Sequence, residues 1–276
     1  MNINSGQALS PTNLNDSLES LFIKEIAAAG ITPPDKIIAD GNLHRFPTKE
    51  SKRDSDGWYV AYDDDIFTGI AGCWRTDNRV KWSGSRDGSL NSAQRKQAGT
   101  QIAAAIQKAD EDRAKRHADA AVEADRQWKE AQPAEPNHPY LKRKQIKPCE
   151  LRQRGDDLLV PVKGAKNKLS SLQKIDADGT KRFLTGGKVT GGYFIVGDYG
   201  LINEVEDAGV IYICEGFATG ATINEATNIV CVCAFNCGNL LPVAKKVREK
   251  FPEIFIVVCA DHDLQTEGNP GLSKAT

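Results

Sequence analysis

Residues 210–217 read VIYICEGF, residues 228–235 read NIVCVCAF and residues 254–263 read IFIVVCADHD. Each contains an unbroken apolar run of strand length, and the chain between them has helical character from about Ala218 to Ala226 and from about Leu240 to Lys250. Continuous apolar strands alternating with helices predict a parallel sheet buried on both faces and joined by right-handed crossovers. In such sheets functional groups collect just past the carboxyl ends of the strands. Glu215 follows the first run directly and precedes Gly216, which lets the chain turn sharply with a carboxylate at the strand end. Asp261 and Asp263 follow the third run. Alternate residues of an extended chain point the same way, so both carboxylates can face one ion while His262 points away. Hard oxygen ligands of this kind suit Mg²⁺ or Mn²⁺ completed by substrate phosphates. A single acid at a strand end is more often a turn or helix cap. Three acids on two strand ends of one sheet form a candidate metal site.

Upstream, LLVPVK (158–163), KLSSLQKI (168–175), KRFLTG (181–186) and GGYFIVG (191–197) read as antiparallel strands joined by turn signals. From Lys142 to Lys188 there are thirteen Lys and Arg against five Asp and Glu, a local excess of +8 in a chain of net charge −1. A basic segment beside an acidic remainder is the pattern of a polyanion-binding surface next to a carboxylate metal site; a merely solvated basic surface would have the same composition. Lys142, Arg143, Lys144, Lys181 and Arg182 are the candidate contacts to nucleotide or template phosphates. Phe183 and Tyr193 read first as core aromatics and second as rings on which a base stacks. The pairs Gly186–Gly187 and Gly191–Gly192 read as turns, not phosphate cradles.

The stretch from Asn91 to Glu130 is rich in Ala, Lys, Glu and Arg and has no proline until Pro133, which predicts one long helix or two in series that brace domains. Pro133, Pro136 and Pro139 then break it and favour extended chain. Before it, residues 37–82 contain short alternating runs separated by Gly, Asp and Pro, an antiparallel meander of about four strands. Trp58, Trp74 and Trp82 there read as a mini-core, with Arg45, Arg75, Arg79 and Lys81 available to nucleic acid. A helix over SLESLFIKEIAAAG, capped by Asn15 or Asp16 and stopped by Gly30, precedes the meander, and residues 1–16 are expected to fray. The expected organisation is therefore a disordered 1–16, an α+β domain at 17–90, a helical linker at 91–137, a basic antiparallel subdomain at 138–204 and an α/β unit at 205–276.

Seven cysteines are an odd number without a CxxC pair, and four lie inside the apolar runs, where cysteine behaves as a small hydrophobe. With histidines only at 44, 117, 138 and 262, no zinc-ribbon spacing exists. No P-loop GxxxxGK[ST] is present, and no apolar run approaches the roughly 20 residues of a membrane helix, so a cytoplasmic protein is expected.

The pair Glu215–Gly216 after a first strand and Asp261-His262-Asp263 after a later one resemble the Toprim signature, shared by bacterial-type DNA primases, topoisomerases of types IA and II, some nucleases and recombination mediators. The resemblance covers roughly residues 205–276. It implies acid/base or metal-binding work for Glu215 and metal ligation for Asp261 and Asp263. A finer likeness is to primases of phages, satellites and plasmids. LLVPVKGAKNKLSSLQKIDADGTKRFLTGGK (158–188) resembles the antiparallel subdomain that precedes Toprim in those enzymes, and HPYLKRKQI from His138 is similar to its opening. The step Lys181-Arg182-Phe183 resembles one that faces nucleotide and template. The sequence departs from the pattern in lacking a zinc ribbon and in ending at Thr276, before the family's later strand and acids.

The resemblance implies a primase-like nucleotidyltransferase with Mg²⁺ or Mn²⁺, single-stranded DNA and nucleoside triphosphates as partners, and a helicase domain or partner downstream. A Toprim nuclease, in which water replaces the attacking hydroxyl, is the alternative enzyme. A nucleic-acid-binding module of a mobile element with an incomplete site is the non-enzymatic alternative.

Overall fold

The computed structural model describes residues 16–48, 55–86, 88–197 and 209–261, with Gly271 and Ser273. The chain forms two compact units that divide at Arg113/Ala114. The expected fraying of residues 1–16 falls, Asp16 apart, outside the described residues.

In the first unit helix α1 (Leu18–Ala28) is capped by Ser17, whose side chain accepts from Ser20 N, not by Asn15 or Asp16. Asp16 instead pairs with Lys24 at 2.6 Å. Strands β1 (His44–Phe46), β2 (Gly57–Asp63), β3 (Phe67–Cys73) and β4 (Asn78–Gly84) make an antiparallel meander in chain order. Phe22 and Ile26 of α1 join Phe67 on one side, while Ala105 and Ala109 join Trp58, Val60 and Ile70 in a separate cluster. Strand β3 is therefore buried along its whole length.

Helix α2 runs unbroken from Ser92 to Glu130. Its alanine stripe has a purpose in packing: Ala105 and Ala109 are buried in the first unit, and Ala124 packs with Leu159 and Leu172 in the second. The proline-rich stretch that follows is less extended than expected. After the two-residue strand β5 (Gln132–Pro133) it forms helix α3 (Pro139–Lys144), with Pro139 in the first turn and His138 accepting from Tyr140 N. Proline at that position removes an N–H that has no helical partner anyway, so it starts a helix as readily as it ends one.

The second unit combines two sheets. Strands β6 (Arg152–Arg154), β7 (Asp157–Lys163), β8 (Leu169–Ile175) and β9 (Lys181–Phe183) continue β5 in an antiparallel order. The β7–β8 turn has both Lys166 and Asn167 at positive φ, 54° and 58°, which closes a tight hairpin. The other sheet has the order β10–β12–β11–β13, from β10 (Phe194–Val196), β11 (Val210–Cys214), β12 (Cys231–Cys233) and β13 (Phe255–Cys259). Strand β11 is parallel to both β12 and β13, as their apolar runs predict. Strand β10, grouped with the antiparallel platform from sequence, instead pairs antiparallel to β12. Its neighbour Tyr193 exchanges both backbone hydrogen bonds with Lys163 at the end of β7, which stitches the two sheets together.

Helices α4 (Phe217–Thr227) and α5 (Leu240–Lys250) cover opposite faces of this sheet. Phe217 and Ala221 share a core with Cys214, Cys231, Cys233 and the β7 residues Leu158, Val160 and Val162. Leu240, Val243 and Val247 pack on Ile211, Ile213 and Val232. Strands β11 and β12 thus bury side chains in both directions, which accounts for the absence of polar alternation in their sequence. Strand β13, expected to be buried on both faces, is instead an edge strand among the described residues, half-buried and with Phe255 exposed.

Candidate functional site

Glu215 leaves the end of β11 with Gly216 as the N-cap of α4. Asp261 stands two residues beyond β13, which pairs with β11 in register from Val210–Phe255 to Cys214–Cys259. The two acids therefore emerge from the same end of adjacent parallel strands. Glu215 Oε1 is buried. Gly271 closes over this point: a Cβ added there would lie 2.9 Å from Glu215 Oε1 and well inside contact with the main-chain oxygen of Asp261. Only glycine fits at this close approach to the two acids. Carboxylate oxygens at adjoining strand ends suit a hard divalent cation. Asp263 lies outside the described residues, and among the described residues no group of three potential ligands gathers.

The antiparallel sheet brings its basic step to the same strand ends. Lys181 Nζ is 3.3 Å from the position a Cβ on Gly216 would take. Phe183, 36% exposed, meets Phe235 just beyond β12 in an edge contact, ring centroids 5.8 Å apart at 75°. Arg182 is tied to Asp176 at 3.0 Å, and Asp176 also accepts from Thr180 N at 2.8 Å. The Thr180 N–H, with Arg182 adding to it, holds the Asp176 carboxyl below the usual carboxylate range. That turn is reached from the other basic cluster too, since Arg143 donates to Ala177 O at 3.1 Å. Lys142, Arg143 and Lys144 form the exposed last turn of α3, so the two basic clusters adjoin through the β8–β9 turn.

Three residues here carry no motif in the sequence. Phe235 has φ +73°, a left-handed conformation uncommon for an aromatic residue, of the kind that concentrates at functional sites. Asn239, 3% exposed, stands at the N-cap of α5 but makes no capping bond. Its side chain donates to Ala234 O (2.7 Å) and Gly192 O (2.8 Å) and accepts from Gly191 N (2.6 Å), pinning the Gly191–Gly192 turn to the chain beside Phe235. Gly220 of α4 lies so close to β12 that a Cβ would approach Cys233 Sγ to 2.5 Å.

Beneath Gly220 the sulfurs of Cys231 and Cys233 are 3.6 and 3.7 Å from that of Cys214. All three are buried and reduced. Hydrogen bonding to Cys214 and burial push the Cys231 and Cys233 thiols well above their ordinary range, as expected of cysteines that act as small hydrophobes.

In the first unit the tryptophans behave as a mini-core. Trp58 is fully buried and Trp82 packs on Phe67. The arginines proposed for nucleic acid are engaged locally: Arg45 lies over Trp74 at 4.5 Å, Arg75 faces Asp56 at 3.6 Å and Arg79 bonds Asp110 at 2.9 Å.

No model of a known protein family matches the sequence. Two curated relatives do, both named DNA primase TraC and both from Escherichia coli. One is 32% identical over 246 residues, 86% of this chain and 23% of its own length. The other is 30% identical over 249 residues, 87% of this chain and 17% of its own length. Over the stretch it covers, the chain is similar to these primases, which supports a plasmid-type primase family. It spans less than a quarter of the length of these relatives. Among the described residues no helix is long and apolar enough to cross a membrane.

Proposed function

We propose that this chain carries the nucleotidyl-transfer site of a DNA primase of the Toprim type, which joins ribonucleotides on single-stranded DNA. The observation that carries the reading is the approach of Lys181 and Phe183 to the strand ends that bear Glu215 and Asp261. A basic-aromatic strand opposite paired carboxylates matches what phosphoryl transfer requires: neutralisation of phosphate charge, a surface for a base, and acids for a divalent cation. A Mg²⁺ or Mn²⁺ ion held by Glu215, Asp261 and Asp263 would supply charge stabilisation at the transferred phosphorus and a lowered pKa for the attacking hydroxyl.

The chain's own residues have separate tasks. Lys181 neutralises triphosphate or template oxygens beside Gly216, where the N-terminal end of α4 adds further attraction for anions. Phe183 offers its face to a base, while the edge contact with Phe235 fixes the ring. Lys142, Arg143 and Lys144 extend the cationic track along α3 for the template backbone. The primer 3′ oxygen attacks the α-phosphorus, the bond to the β-phosphate oxygen breaks and pyrophosphate leaves.

The test is template-dependent primer synthesis from ribonucleotides with Mg²⁺ by the full chain. Glu215→Gln and Asp261→Asn should each lower synthesis by about 10²-fold or more, in the range of lost electrostatic stabilisation. Synthesis that survives both substitutions would refute the assignment. Cleavage of labelled DNA with Mn²⁺, without synthesis, would assign the same acids to a nuclease.

A further inference from the structure

Away from the acidic site, the face of the second sheet under α5 holds a cavity of about 390 Å³. That is within the range of roughly 300–1,000 Å³ in which small-molecule sites fall. Ile195, Val232 and Val247 give it apolar walls, and Tyr193 and Phe251 add aromatic surface. Ile211, also in the lining, is four residues upstream of Glu215, about 13 Å along the strand. No described residue of the acidic site lines it.

The mouth is cationic. Lys166, Lys246 and Lys250 line it, and a second crevice of about 200 Å³ adjoins it through Gly164 and Lys246, adding Lys168 and Lys188. Glu249 is the one carboxylate among the described lining residues. These lysines come from three separate segments: the β7–β8 turn, the loop before β10, and α5. The turn that presents Lys166 does so at positive φ, a conformation that lysine adopts at a cost. Lys246 Nζ donates to Gly191 O and Lys250 lies over the Phe251 ring, so both ammonium groups are held at the cavity, where an anion would be attracted to them. An apolar cavity with aromatic walls and lysines in its lining suits an apolar-faced ring joined to phosphate.

We propose that this cavity is a second nucleotide site, with the base between Tyr193 and the valines and the phosphates on the lysine mouth. The same chemistry has two sources, a free nucleoside triphosphate or one unstacked nucleotide of single-stranded DNA. The proposal is independent of the acidic site, because it requires no metal.

The experiment is isothermal titration calorimetry of the full chain with ATP, with oligo(dT) and with inorganic triphosphate, all in EDTA so that no divalent cation supports binding elsewhere. Two variants separate the two halves of the site: Ile195→Trp fills the cavity, and the exposed-residue pair Lys166→Glu with Lys250→Glu reverses the mouth. Circular dichroism and thermal melting check that each is folded. Binding of ATP or oligo(dT) that falls at least tenfold, about 1.4 kcal/mol, in both variants supports the site, and whichever ligand binds identifies its source. Absence of binding by both nucleotide ligands, or binding that Ile195→Trp leaves unchanged, would overturn it. Inorganic triphosphate bound as tightly as ATP would also overturn it, because the lysines would then act as a bare anion patch.

Discussion

At the scale of single residues, the site depends on three residues whose work is done inside the protein. Asn239 satisfies the backbone of two loops at once, and truncating it leaves Gly191 N–H and the carbonyls of Gly192 and Ala234 with a lost partner. Asn239→Ala should therefore destabilise the protein by about 2–4 kcal/mol, since each stranded buried group costs about 1–3 kcal/mol and some regain water. Chemical denaturation measures it, and a loss under about 0.5 kcal/mol would show that these bonds are dispensable. Gly220 makes the opposite test. A methyl group there meets Cys233 Sγ at 2.5 Å, so Gly220→Ala should cost about 1–3 kcal/mol through overpacking, although alanine is the better helix former. Phe235 combines strain and contact. Phe235→Gly relieves the left-handed backbone but removes a ring buried in the core, so it should destabilise the protein by about 2–4 kcal/mol, and it should lower primer synthesis by removing support from Phe183. Unaltered synthesis would mean that Phe183 needs no such support.

At the scale of elements, the hairpin that carries Lys181 and Phe183 is set by Asp176. Its carboxylate binds Thr180 N–H and Arg182 together, and its pKa lies below the ordinary value. A depressed carboxyl gives stability that is present above the unfolded pKa, about 3.9, and is lost as pH falls through the lower folded value. The Thr180 amide resonance should accordingly titrate with a midpoint below about 3.9, and Asp176→Asn should abolish that titration. A midpoint at or above the ordinary value would contradict the assignment. Element identity was legible wherever one physical signal dominated. The runs at Val210 and Cys231 are doubly buried strands, as their unbroken apolar character predicts, and Ser92–Glu130 lacked any breaker, whereas the equally apolar run at Phe255 forms an edge strand among the described residues that is only half-buried. Proline misled at 139, because the same residue that stops a helix also starts one, and sequence does not say which end it occupies. The GGYFIVG strand misled for a different reason. An edge strand's partner depends on which sheet its flanking loop reaches, and that is set by the Tyr193–Lys163 bridge, a contact between residues thirty positions apart.

At the scale of the whole molecule, charge is unevenly distributed. The excess of +8 between Lys142 and Lys188 is carried by α3 and the antiparallel sheet, while the acids Glu215 and Asp261 stand at strand ends of the other sheet in the same unit. Binding to single-stranded DNA should weaken with salt, and Lys181→Ala should reduce the slope of log K against log salt by about 0.7 for one lost phosphate contact. Fluorescence anisotropy over a salt series measures this, and an unchanged slope would exclude Lys181 from the track. The acidic pair was legible because strand ends expose functional groups in every open α/β sheet. Phe235, Asn239 and Gly271 were not, since their roles arise from loops that meet only in the folded chain.

The central claim is that Glu215 and Asp261, with Asp263, form a divalent-cation site facing Lys181 and Phe183. Electron paramagnetic resonance titration of Mn²⁺ into the full chain tests it without requiring turnover. The account predicts bound Mn²⁺ that Mg²⁺ displaces and that Glu215→Gln and Asp261→Asn each weaken by at least tenfold. Mn²⁺ bound with unchanged affinity in both variants, or no Mn²⁺ bound by the parent chain, would contradict it.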